Sequence, residues 1–186
     1  MESRSLQTSV IVPAFNEERT LAQVVDRIMA CGVAQEVVVV DDGSTDGTGA
    51  VLDRLLARWP GIVRGLRHQQ NRGKGAAIRS ALPWVSGELV IVQDADLELD
   101  PGEYPALLAP FASPHVQVVY GSRTFCTGGH PPWFYYLGGR LLSLLASALF
   151  GVRITDEATG FKVFRTGVLR SIGLECEGFE FCPEVP

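Results

Sequence analysis

Two carboxylates one residue apart, Asp94 and Asp96, follow an apolar run that spans Glu88 to Gln93. At a strand end both can face one hard cation, which takes oxygen ligands from protein and phosphate together. Glu98 stands two residues further on and offers a third oxygen. Mg2+ or Mn2+ held there would offset the charge that grows on a departing diphosphate. The same residue types also cap turns, so the triplet needs company before it means a site.

Other motifs supply that company. In Asp41-Asp-Gly-Ser-Thr-Asp-Gly-Thr48 a carboxylate can accept from a nucleotide base or a ribose hydroxyl, although a strand-to-helix turn calls for the same residues. Asn71-Arg-Gly-Lys-Gly75 opens a helix, where backbone N–H groups and Lys74 can hold phosphate; a flexible turn with a solvated lysine is the plain alternative. No G-K-[ST] follows the first of these loops, and no G-x-G-x-x-G follows the first strand, which argues against a P-loop and a dinucleotide fold. His68, His115 and His130 stand apart from one another and give no convincing general base.

The elements that must position these groups alternate. Ser9 to Pro13 reads as a buried strand, Asn16 offers a helix N-cap, and Leu21, Val24, Val25, Ile28 and Met29 recur at helical spacing until Gly32. Val37 to Val40 is a second strand, and Val51, Leu52, Leu55, Leu56 and Trp59 mark a second helix. Ile62 to Leu66, Gly73 to Val85 and Glu88 to Gln93 read as strand, helix and strand. Strands that are apolar on both faces and separated by helices indicate a mostly parallel sheet covered on both sides, an α/β fold. Ligands of such sheets bind at the carboxyl ends of the strands, where each polar motif falls. Further on, Tyr104 to Phe111 suggests a short helix, Val116 to Tyr120 a strand, Leu137 to Phe150 an apolar helix, and Gly160 to Arg165 another strand.

Composition excludes more than it identifies. The 186 residues fit one domain, spanning 1–186, with 46% hydrophobic and 20% charged residues. A net charge of -5 argues against a nucleic-acid partner, because duplex binding needs a basic face. Cys31, Cys126, Cys176 and Cys182 form no C-x-x-C pair and read as reduced thiols of a cytosolic domain. The start, Met1 to Thr8, has no signal-peptide run, and Arg140 breaks the longest apolar stretch, Trp133 to Ile154.

Taken in order, Val12-Pro-Ala-Phe-Asn-Glu-Glu18, Val40 to Thr48, Asn71-Arg-Gly-Lys-Gly-Ala-Ala-Ile-Arg79, Gln93-Asp-Ala-Asp-Leu-Glu98 and Tyr120-Gly-Ser-Arg123 form a recognisable series. Thr155-Asp156 and Thr159-Gly-Phe-Lys-Val-Phe-Arg165 continue it. The series resembles family 2 glycosyltransferases of the GT-A fold, and most of all the dolichyl- or polyprenyl-phosphate mannose and glucose synthases. The resemblance implies inverting transfer of a hexose from a GDP- or UDP-sugar to a polyprenyl or dolichyl phosphate, with Mg2+ or Mn2+. By position it implies that Pro13, Phe15, Glu17, Val40 and Asp42 hold the donor's base and ribose. Asp94, Ala95, Asp96 and Glu98 match the metal and diphosphate site, and Arg123 an arginine near both phosphates. Arg140 is similar in placement to a basic residue on the acceptor side.

A lipid monophosphate has a second pKa of about 6 and is already anionic, so it needs no protein base to attack the anomeric carbon. Asp156 is the fallback base for the rival reading, a soluble glycan or cell-wall transferase with a hydroxyl acceptor. Trp133-Phe-Tyr-Tyr-Leu and the helix from Leu137 to Phe150 suggest an element lying along the cytoplasmic face of a membrane, with a core helix as the alternative. Members of this branch continue past the motif Phe179 to Val185 into a segment that brings an arginine and a lysine to the donor phosphates. The expectation is therefore of a shortened catalytic domain with weak transfer, or one that binds nucleotide-sugar without turnover.

Overall fold

The computed structural model describes residues 6–121 and 161–173. Among them lies a six-stranded sheet in the order β3-β2-β1-β4-β6-β5. The strands are β1 (Thr8–Ala14), β2 (Ala34–Asp41), β3 (Val63–Arg67), β4 (Leu89–Val92), β5 (Val118–Tyr120) and β6 (Lys162–Arg165). β1 pairs in parallel with both β2 and β4, and β2 pairs in parallel with β3. β6 runs antiparallel to β4 and to β5, so the sheet is mixed but mainly parallel.

Alternation along the central strands divides the core into two layers, as the period of two in a strand requires. Val10, Val12, Val37, Val39, Leu89 and Ile91 face the helices α1 (Leu21–Cys31), α2 (Thr48–Arg58) and α4 (Tyr104–Leu108). Ile11, Val38, Val40, Val90 and Val92 face α3 (Lys74–Ala81) and α5 (Thr166–Ser171). Helices on both faces explain why these strands carry almost no polar residue on either side.

Two expectations change in detail. Asn16 does not cap α1, which begins at Leu21 after Thr20. It adopts a left-handed φ of 58° instead, and its Oδ1 accepts from the Thr45 N–H at 2.8 Å, tying the first polar loop to the second. Glu18 adds to the same tie by accepting from the Gly47 N–H at 2.8 Å. α3 ends at Ala81, not Val85, because Pro83 lacks the N–H that a continuing helix needs, and Leu82–Trp84 form a 3-10 turn.

Candidate active site

The carboxyl ends of β1, β2 and β4 open into one cleft of about 270 Å3. Its walls include Pro13, Phe15 and Glu17 after β1, Asp42 after β2, Gly73 and Lys74 at the start of α3, and Asp94, Ala95 and Asp96 after β4. Segments far apart in sequence thus meet where an open parallel sheet places its ligands.

The loop after β2 comes close to the loop before α3. Gly43 makes this possible, since a Cβ there would lie 2.3 Å from the Gln70 carbonyl carbon and its φ is 72°. Pressed together, the two loops share one carboxylate. Asp42 is buried and accepts from the Gly73 N–H at 2.7 Å and the Arg72 N–H at 3.0 Å. His68 meets the same carboxylate through Nδ1 at 2.5 Å, and its Nε2 lies 2.8 Å from the Ser80 hydroxyl on α3. His68, isolated along the chain, is thus enclosed between two partners in space.

The turn after β4 is held from below. Gln93 is fully buried, and its amide donates to the Asp94 and Leu99 carbonyls at 3.1 and 3.4 Å. The Tyr104 hydroxyl donates to the Gln93 side-chain oxygen at 2.8 Å. Burial pushes the Tyr104 phenol well above its ordinary pKa, so it stays a donor at any physiological pH. Between these anchors Leu97 takes a left-handed φ of 68°, a conformation that a β-carbon disfavours and that surrounding contacts must enforce. The anchored turn leaves Asp96 exposed and Asp94 half-buried on the cleft wall.

The remaining expected residues fall in different places. Lys74 reaches across the cleft to pair with Asp94 Oδ1. Phe15 is 43% exposed, a bare aromatic face on the cleft wall. Glu17 also borders the cleft, and its carboxylate accepts from the Thr20 hydroxyl. Val40 packs inside the core with Ile11 and Ala77 and does not reach the wall. Glu98 is exposed and off the wall, its N–H donating to Asp96 at 3.0 Å. Among the described residues no three acidic, histidine or cysteine side chains gather as a metal-holding group, so Asp94, Asp96 and Glu98 do not converge as a trio. Arg123, Arg140, Asp156 and the Leu137 to Phe150 segment lie outside the described residues.

Residues 9–173 match the sequence profile of glycosyl transferase family 2. The chain belongs to that family. Among curated proteins it is 29% identical to a dodecaprenyl-phosphate galacturonate synthase of Rhizobium johnstonii, a match covering 97% of this chain and 54% of the relative. It is 33% identical to a polyprenol monophosphomannose synthase of Mycolicibacterium smegmatis, over 90% of this chain and 65% of the relative. The chain therefore spans between about half and two thirds of these relatives' length. Of solved structures, glucosyl-3-phosphoglycerate synthase from Mycobacterium tuberculosis, in complex with Mn2+, UDP and glucosyl-3-phosphoglycerate, superposes with a TM-score of 0.73 at 26% identity. That match covers 95% of this chain and 62% of the other. The fold of this family 2 member is accordingly GT-A.

His68, Ser80, Gln93 and Tyr104 escape a reading by motif. Each acts through another residue from inside the protein, and no fixed spacing marks such a partner. A polar side chain among apolar neighbours, as at Gln93 after Leu89 to Val92, is the one signal the sequence holds for them.

Proposed function

We propose that this chain transfers a hexose from a GDP- or UDP-sugar to a polyprenyl phosphate, assisted by Mg2+ or Mn2+. The observation that carries the reading is the meeting of Asp94 and Asp96 with Asp42, Gly73 and Lys74 on one cleft, in a family 2 chain. Two relatives named for polyprenyl-phosphate sugar synthesis support the acceptor.

The donor set suits a hard divalent cation, because two carboxylates of one turn offer oxygen ligands beside an open cleft. When bound there it supplies positive charge against the diphosphate. Asp94 and Asp96 hold it, with Glu98 bracing the turn through its N–H to Asp96. Lys74 and Arg123 neutralise the donor phosphates. Phe15, Pro13 and Glu17 line the base and ribose side, where Asp42 accepts a donor from the nucleotide. Ala95, buried at 3% exposure, keeps the turn tight between its carboxylates. Arg140 and Asp156 belong to the acceptor side, which brings the protein to the cytoplasmic face of a membrane. No helix among the described residues is long and apolar enough to cross one.

The test is transfer from a panel of UDP- and GDP-sugars to polyprenyl phosphate in vesicles, with Mn2+ or with chelator. A lipid-linked sugar formed from one donor only in the presence of metal is the expected result. Equal transfer with chelator removes the metal from the reading. Transfer to a soluble hydroxyl acceptor, with none to the lipid, replaces the acceptor assignment.

A further inference from the structure

His68 has no part in the chemistry proposed above, yet it is buried against a residue of the cleft. It follows β3, and its backbone N–H donates to the Asp41 carbonyl at 2.9 Å. Only 9% of its side chain is exposed. An ionised carboxylate only accepts, so Nδ1 carries the hydrogen that points to Asp42. Nε2 then has the Ser80 hydroxyl as its partner in either protonation state, since a hydroxyl both donates and accepts. The ring therefore joins the end of β3, the end of β2 and the last turn of α3.

An ionised carboxylate offers about four acceptor positions. On Asp42 the imidazole, the Arg72 N–H and the Gly73 N–H occupy most of them. Those two amides immediately precede Lys74. If the imidazole were lost, this buried carboxylate would turn toward other donors and shift the amides that it holds. Position 68 thus reaches the cleft through Asp42, without touching any ligand.

We propose that His68 is a positioning residue: with Ser80 it locks the Asp42 carboxylate, and through it the Arg72–Gly73 amides and Lys74, in the geometry that receives a nucleotide diphosphate. This rests on the reading of the cleft given above.

The test compares the full chain with His68→Leu and His68→Asn by two measurements. The first is hydrogen exchange at the Arg72 and Gly73 amides, which needs no ligand. The second is the binding of UDP and of GDP with Mn2+ by calorimetry. His68→Leu should speed exchange at both amides and weaken nucleotide binding by about tenfold or more, as expected for a lost hydrogen bond to a charged group. Exchange in β1 and β2 should not change. His68→Asn keeps a side-chain N–H donor and should recover most of both losses. If His68→Leu fails to fold, Ser80→Ala removes only the outer partner and should give the same pattern in weaker form. Unchanged exchange at Arg72 and Gly73 overturns the proposal. So does an equal loss in the Leu and Asn variants that follows their melting temperatures, because a merely structural histidine would behave so. A natural chain that binds neither nucleotide overturns the reading of the cleft instead, and the exchange rates then decide the clamp alone.

Discussion

Asp42 and Glu36 sit at opposite ends of β2, and each ties down one end of the segment that carries α3. Asp42 holds the Arg72 and Gly73 amides before the helix. Glu36, buried at 4% exposure, accepts after the helix from the Ser86 N–H and from the Gly87 N–H at 3.3 Å, and also from the Ser9 hydroxyl of β1. The device is the same, a buried carboxylate closing a loop, but the surroundings differ. At the lower edge the loop is closed further by Thr166, whose hydroxyl donates to the Gly87 carbonyl, and Arg64 lies 3.7 Å from Glu36. At the upper edge the loop borders an open cleft. One carboxylate consolidates the fold, while the other fixes the loop that leads to Lys74 on the cleft wall.

The comparison breaks most visibly at the upper edge. Asp96→Asn should lower transfer by about 100- to 1000-fold, the loss typical of removing one electrostatic group from a site. Its urea midpoint should stay at that of the natural chain, because Asp96 is exposed. A variant that keeps its rate, or that unfolds early, would remove Asp96 from the chemistry.

The lower edge should answer in the opposite way. Glu36→Ala leaves the Ser86 N–H and the Ser9 hydroxyl without their acceptor and should cost about 2–3 kcal/mol in urea unfolding. Nucleotide affinity of the folded fraction should not change. A large affinity loss at unchanged stability would erase the distinction between the two edges.

Lys74 sharpens the comparison, because it pairs with Asp94, one of the two carboxylates proposed to hold the metal. Lys74→Met should tighten binding of Mn2+ alone by roughly fivefold, in keeping with the ~1 kcal/mol of a partly exposed ion pair. The same change should weaken UDP or GDP, whose phosphates lose a cation. Mn2+ titration by electron paramagnetic resonance, with and without nucleotide, reads both signs. Movement of both affinities in one direction would show that lysine and metal do not compete for Asp94.

The smallest effect is a pH dependence at the lower edge. Burial acts to raise the Glu36 pKa, but hydrogen bonds from Ser9 and Ser86 and the charge of Arg64 together outweigh it. The folded value therefore lies below the ordinary 4.5. A depressed carboxyl pKa stabilises the fold above the unfolded value, and that share is lost as pH falls through the folded one. The stability gap between the natural chain and Glu36→Gln should thus be constant near neutrality and shrink as pH drops below about 4. A gap that widens in acid would contradict the assignment.

Much of this molecule follows from local pattern. The apolar runs at Val10, Val37 and Leu89 dictate buried parallel strands, and the polar loops that end them dictate which sheet edge carries chemistry. Asp94, Asp96 and Lys74 could be placed on that edge from the sequence, because each stands at a short offset from a strand or helix end. Tertiary structure decided what each of these groups touches. Lys74 meets Asp94 from 20 positions away, His68 meets Asp42 from 26, and Ser86 meets Glu36 from 50. Asn16, which by local rules belongs at a helix cap, is drawn instead to the Thr45 amide 29 residues on. The physical reason is common to all four. A buried or crowded polar group must find a partner wherever the packed chain brings one, and that depends on how strands register across the sheet, not on which residues stand next in line.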